Sequence, residues 1–345
     1  MKILSVTYSV PSKKYSNEEF VRYWLKNIRK LSYFKRPIYK KLLLKILDKT
    51  GAKYRHARDL AKGETAHEHI ISSMNKALEQ AKLDANDIDL LIYCGVGKGF
   101  IEPSNAYLYA KEMGMKSTEC FDVVDACMSW TRAMQLCSGF LKANTYKKIM
   151  VITGEFHLGL RDTHKIPDLE SLHYNFPMYT IGEAATATIV EASDRAWDFN
   201  FLSRPEHAAL CTIPINGFES YIPKHEKIGH NGPGRFVSYG KELLDAATPV
   251  LKKVVAESIA DTNSVDLFIP HAPSKKVYLD GFKDVGIPED KLFSRVYEDF
   301  GNLVSSSVPT AIALALEEGK ITRGSKVALI PASAGLSVAA VQFVF

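Results

Sequence analysis

Apolar positions along this chain fall into two kinds of run. Short, nearly unbroken stretches at 88–93 (IDLLIY), 148–153 (KIMVIT), 265–270 (VDLFIP) and 326–330 (KVALI) have the length and branched content of strands buried on both faces. Residues 1–10 are apolar, with neither a basic leader nor a cleavage site, and read as a first strand. Residues 121–124 add another. Helical spacing marks 64–83, where Ala66, Ile70, Ile71, Met74, Ala77, Leu78 and Ala81 share one face. It also marks a helix through Gln135 and Phe140 and another over 304–318. A further pair is expected at 17–33, with Val21, Trp24, Ile28 and Leu31 aligned, and at 38–47, split by Pro37.

The order of these elements repeats. Asp89, Cys127 and Val151 have counterparts at Asp266, Asn302 and Val327, each about 175 residues later. An equal offset at three points predicts a duplicated α/β unit. Its halves would be 1–195 and 196–345, with a helical insertion at 17–49 in the first. Strands alternating with helices predict mainly parallel sheets covered by helices. The length of 345 residues, 46% of them hydrophobic, is ample for such a pair of halves. No low-complexity linker separates them.

Composition narrows the setting. The longest apolar runs, such as 338–345, are too short to span a bilayer. Five cysteines without metal-ligand spacing argue for a reducing compartment, against a disulfide framework and against a structural zinc. These features predict a cytoplasmic protein without integral membrane association. The net charge is +5, yet residues 20–50 carry ten Lys or Arg against the single acid Asp48, leaving the rest of the chain acidic. A basic patch confined to one segment suggests docking of an acidic partner and not a nucleic-acid-binding domain.

One cysteine stands apart. Cys127, in Asp125-Ala126-Cys127-Met128-Ser129-Trp130, lies between an apolar strand and an amphipathic helix. That turn would place its sulfur at a helix N-terminus, where free N–H groups stabilise a thiolate or a developing oxyanion. Cys94, Cys120, Cys137 and Cys211 fall inside strand or helix patterns and read as small core residues. His271 follows a strand at its C-terminal end, where ligands gather in open α/β sheets. Asn302 holds the corresponding place before the final long helix. A thiolate, an imidazole and an amide together suit attack on a thioester and stabilisation of an enolate. Taken singly, His271 also fits a satisfied strand-end histidine, and Asn302 a helix cap.

Over nearly its full length the chain resembles β-ketoacyl-acyl-carrier-protein synthase III and its relatives. The resemblance is carried by Thr50-Gly51 with Arg55, Glu102-Pro103-Ser104, Phe121-Asp122 through Cys127, Gly154-Glu155, Gly182-Glu183-Ala184, Ile269-Pro270-His271, Gly301-Asn302 and Ser306-Ser307-Val308-Pro309. It implies a duplicated thiolase-like fold, five layers deep in the order α-β-α-β-α. It further implies acyl transfer to Cys127, with His271 and Asn302 polarising the extender thioester. The oxyanion would be held by the backbone N–H groups of Cys127 and Ser333. Acyl-coenzyme A or acyl-phopshopantetheine thioesters would be substrates, with no tightly bound cofactor and no metal. An acyl-carrier protein and a second copy of the chain would be partners.

Departures from the family pattern bear on substrate. Lys45 and Lys49 stand where the family places a Trp and an Arg that grip coenzyme A, and Ala272 and Ser274 replace the usual Gln and Asn. Substrate binding is therefore expected from Lys45, Lys49, Arg55, Ser274 and Lys276. Glu102 replaces an apolar residue of the plain synthase. In relatives that join two acyl chains a Glu stands there, reaching across the dimer interface, and a carboxylate near an acyl-cysteine can remove an α-proton. Two other readings stay open at this point: transfer of the acyl group from Cys127 to an alcohol or amine, and a non-catalytic subunit of a heterodimer.

Overall fold

The computed structural model describes residues 1–27, 32–156, 171–271, 279 and 281–345. Two sheets form its frame. The first contains β1 (Lys2–Ser9), β2 (Leu90–Cys94), β3 (Glu119–Val123), β4 (Lys148–Glu155) and β5 (Ala184–Glu191), in the order β1-β5-β4-β2-β3. The second contains β6 (Trp197–Ser203), β7 (Leu267–His271), β8 (Lys326–Ser333) and β9 (Ser337–Val344), in the order β7-β8-β9-β6.

Alternation along each strand explains the unbroken apolar runs. Leu90 and Ile92 face one core, Leu91 and Tyr93 another; likewise Leu267 and Ile269 face inward and Phe268 outward. Both faces of both sheets are thus covered. The helices α3 (Ala66–Ala81) and α4 (Asn105–Glu112) lie outside the first sheet, and α6 (Gly240–Ser258) outside the second. Between the sheets lie α5 (Ser129–Lys142) and α7 (Ser307–Glu317). The layers run α-β-α-β-α. Residues Ser307 to Ala315 of α7 are all buried, which is why this helix is Ala-rich and apolar all round instead of amphipathic.

The sheets are mixed, with less parallel pairing than the β-α-β alternation predicts. β2 runs parallel to β3 and β4, and β7 to β8, but β1, β5, β6 and β9 pair antiparallel. For β8 and β9 the cause is local: three residues join them, too few for a crossover.

Helix ends follow local chemistry. Thr65 caps α3, its Oγ1 accepting from Glu68 N at 3.2 Å while the Glu68 carboxylate accepts from Thr65 N at 2.9 Å. The basic segment forms α1 (Asn17–Asn27) and α2 (Arg36–Thr50). Pro37 lies in the first turn of α2 instead of between the helices, since its missing N–H has no partner to lose there. Residues 28–31, which the spacing assigns to the first helix, lie outside the described residues. Trp24, Tyr39, Leu43 and Leu47 bury the pair against Leu172, Phe176 and Tyr179.

Candidate active site

The chain leaves β3 through one 3₁₀ turn, Ala126–Met128, before entering α5. Ser129 fastens this turn: its Oγ accepts from Asp125 N at 2.8 Å and donates to Ala126 O at 2.7 Å. Ser333 fastens it from the other sheet, its Oγ accepting from Met128 N at 3.2 Å and donating to Asp125 O at 3.3 Å. Ala126 is held at φ 46°, a left-handed conformation uncommon for a residue with a side chain. Strain of this kind persists only where surrounding contacts over-determine it.

Cys127 opens onto a cavity of about 280 Å³, together with His271, Asn302 and Ser333. Its walls are apolar, with Ile181, Ile213 and Phe236 on one side and Leu244, Thr248 and Leu251 of α6 on another. The last three are spaced as one face of α6. At the helix entrance the backbone N–H favours a thiolate at Cys127, but burial opposes it. Burial, then the nearby Cys211 thiol and Glu155 carboxyl, hold the Cys127 thiol well above the usual cysteine range, and the backbone N–H offsets only part of this. Cys211, read from sequence as a core residue, lines the same cavity.

His271 closes β7 and is 5% exposed. Burial lowers its pKa to about 4, so it meets the cavity as a neutral imidazole. Asn302 is held on both sides of its backbone: its N–H donates to Thr180 O at 2.8 Å and its carbonyl accepts from Gly182 N at 3.0 Å. Its Oδ1 accepts from Val304 N at 2.8 Å, and among the described residues its Nδ2 group has no hydrogen-bond partner. Val304, at φ 53°, is a second strained residue beside the site.

The glycines around Asn302 are steric requirements. A Cβ on Gly301, whose φ is +76°, would stand 2.3 Å from Thr180 O, and one on Gly182 would stand 2.1 Å from Phe300 O. Gly301→Ala is therefore expected to cost at least about 2 kcal/mol of stability and to depress turnover by displacing Asn302. Urea denaturation and a turnover assay check both effects.

Glu155 ties these parts together. From the end of β4 its carboxylate accepts from Val96 N at 3.1 Å, Gly97 N at 2.9 Å and Ser305 Oγ at 2.5 Å. Burial raises its pKa, and these donors offset that only in part. Val96 and Val304 both line the cavity, so one buried carboxylate fixes a wall from each half. Ser306 Oγ meets Thr153 Oγ1 at 2.6 Å, and Ser307 Oγ accepts from Leu303 N at 3.1 Å, giving each serine of this run its own anchor. Glu155→Ala should cost about 2–4 kcal/mol by orphaning enclosed donors, and Glu155→Gln clearly less, since one acceptor oxygen remains. Chemical denaturation of the two variants measures the difference.

Of the other expected residues, Arg55, Lys45, Lys49 and Glu102 do not line the cavity. Arg55 is 1% exposed, stacked 4.5 Å from the Phe20 ring, and bonded to Asn17 Oδ1 at 2.5 Å. It is a core residue and cannot grip a ligand. Lys45 and Lys49 are exposed on α2. Ser274 and Lys276 lie outside the described residues. Glu102 is exposed in the loop before α4. That loop is organised by Asp122, which accepts from Ser104 Oγ at 2.7 Å, Asn105 N at 3.0 Å, Asn105 Nδ2 at 2.8 Å and Ala106 N at 3.1 Å. Burial opposes ionisation of Asp122, but these bonds prevail and lower its pKa.

Comparison with known proteins agrees with this architecture. The family model of 3-oxoacyl-[acyl-carrier-protein] synthase III matches residues 121–204, and that of its C-terminal part matches 255–345, together just over half of the chain. The β-ketoacyl-[acyl-carrier-protein] synthase III of Pseudoalteromonas atlantica is 28% identical over 295 residues, 82% of this chain and 85% of that protein. Its counterpart in Natranaerobius thermophilus is 26% identical over 305 residues, 85% and 88% of the two chains. Among solved structures, OleA of Xanthomonas campestris with bound lauric acid and lauroyl-CoA superposes with a TM-score of 0.81 at 21% identity, covering 99% of this chain and 98% of that one. The 3-oxoacyl-[acyl-carrier-protein] synthase III of Aquifex aeolicus gives a TM-score of 0.79 at 21% identity, over 100% and 99%. The chain belongs to the thiolase-fold condensing enzymes of the β-ketoacyl synthase III type, which join acyl thioesters.

Proposed function

We propose that Cys127 carries the acyl group, accepted from a coenzyme A or carrier-protein thioester, and that a second thioester attacks it through its α-carbon. The observation that carries this reading is the meeting of Cys127, His271 and Asn302 at one apolar cavity. In the first step the Cys127 sulfur bonds to the acyl carbon, and the donor thiol departs with the cysteine's proton. In the second, the extender loses CO2, or an α-proton to a carboxylate base, to form an enolate whose carbon bonds to that acyl carbon; the acyl–sulfur bond breaks and Cys127 takes a proton from that base or from water. Neutral His271 and the Asn302 Nδ2 group would donate to the enolate oxygen, while N–H groups of Cys127 and Ser333 hold the acyl oxygen.

The enzyme would act as a homodimer in the cytoplasm. Supporting this, all five cysteines are free, and among the described residues β3 is an edge strand paired with β2 alone. Exposed Phe100, Ile101, Tyr107, Leu108 and Val124 gather near that edge, an apolar surface suited to a second copy. The Glu102 loop belongs to the same surface, and Glu102 would remove the α-proton in the partner's site.

Incubation with one acyl thioester, alone and with a carboxylated extender, tests the reading through product mass. A joined β-keto product is expected, and absence of condensation with every donor would refute the assignment. Glu102→Ala should retain acylation of Cys127 and lose condensation by about 10²-fold or more. Unchanged product formation in that variant would exclude Glu102 as the base.

A further inference from the structure

The outer face of α2 has a composition that the condensation chemistry does not use. Its inner face is committed to the core through Tyr39, Leu43 and Leu47. On the opposite side Phe34, Ile38, Lys41, Lys45 and Lys49 follow one another at three- to four-residue spacing, all exposed. One end of this stripe is apolar and the remainder cationic.

The apolar end is unusually bare. Tyr33 is 78% exposed, Phe34 87% and Ile38 63%, and they stand on the 3₁₀ turn Tyr33–Lys35 and the first turn of α2. The two rings pack edge to face, 6.2 Å apart, with the Arg36 guanidinium 5.9 Å from the Tyr33 ring. Among the described residues, none of Lys35, Arg36, Lys40, Lys41, Lys45 and Lys49 joins an ion pair. The charges are therefore free to act outward.

We propose that this tip and the basic face behind it dock on an anionic lipid surface. Tyr, Phe and Ile standing out from a convex turn suit the boundary between headgroups and acyl chains, where flanking Lys and Arg meet lipid phosphates. A second copy of the chain would bring like charges together. An acidic protein would satisfy the lysines but would need a concave apolar pocket to cover Phe34 and Tyr33. The site is placed to matter: α1 and α2 pack on Leu172, Phe176 and Tyr179, and Pro177 and Ile181 of the same segment line the acyl cavity. The helix that carries the docked face thus packs, by its opposite side, on a segment that lines the apolar cavity.

Flotation of the full-length protein with phosphatidylcholine vesicles, with and without phosphatidylglycerol, tests the proposal. Binding is expected only to the anionic vesicles, weakening as salt rises. The double substitution Phe34→Ser with Ile38→Ser, and separately Lys41→Glu, should each reduce binding several-fold without changing turnover on a soluble donor. Failure to bind anionic vesicles would overturn the proposal, as would equal binding to neutral ones. Full binding by the Phe34→Ser, Ile38→Ser protein would also overturn it, leaving a purely charged surface of the kind an acidic protein uses.

Discussion

Cys127→Ala is expected to stop condensation, lowering turnover by about 10⁴-fold or more. In the proposed reaction the acyl group is held covalently while the second thioester enters, and the structure offers this sulfur a fixed turn and an apolar cavity. Cys211 shares that cavity but is a poor substitute. It stands in a two-residue strand, Cys211–Thr212, instead of at a helix entrance. Because the sulfur faces a cavity, its loss should change stability by no more than about 1 kcal/mol. Chromatographic assay of product, with urea denaturation alongside, separates the catalytic loss from any structural one. Turnover near the wild-type rate in this variant would contradict the assignment.

His271→Ala is expected to lower condensation by about 10²- to 10³-fold while leaving acylation of Cys127 detectable. In the proposed reaction the neutral imidazole at the end of β7 donates to the enolate oxygen, and its removal would leave Asn302 to hold that oxygen alone. A pH signature accompanies the kinetic one. The folded pKa of about 4 lies below the ordinary histidine value of about 6.5, so between these limits the unfolded chain binds a proton that the folded chain excludes. Stability should therefore fall as pH drops through that window. The His271 contribution is absent above it and reaches roughly 3 kcal/mol below it. His271→Ala removes this part of the slope, which parallel denaturation series at several pH values would show. An identical pH dependence in both proteins would mean that His271 is not buried neutral.

The parts of the fold legible in sequence were those governed by local pattern. Strands β2, β4, β7 and β8 announce themselves because both faces are covered, which removes polar interruptions. The turn at Cys127 is visible because a strand pattern gives way to a helical one within a few residues. What local pattern does not carry is the environment that distant segments create. Ser305 meets Glu155 across 150 positions, and Ser333 reaches the Asp125 carbonyl across 208. The family motif includes Arg55, but only its packing under Phe20 shows that it is interior. For the same reason a strand-to-helix turn suggested a stabilised thiolate, while desolvation by the surrounding cavity drives the pKa upward. On α2 the charge is legible in the residues themselves, and exposure of Tyr33, Phe34 and Ile38 adds the apolar end that charge counting overlooks.

The central claim is that one thiol, Cys127, carries the acyl group. Intact-protein mass after exposure to acyl-coenzyme A and acyl-carrier-protein donors tests it most directly. The wild-type protein and His271→Ala should each gain the mass of one acyl group, and Cys127→Ala should gain none. A gain that persists in Cys127→Ala, or no gain in the wild type with any donor, would contradict it.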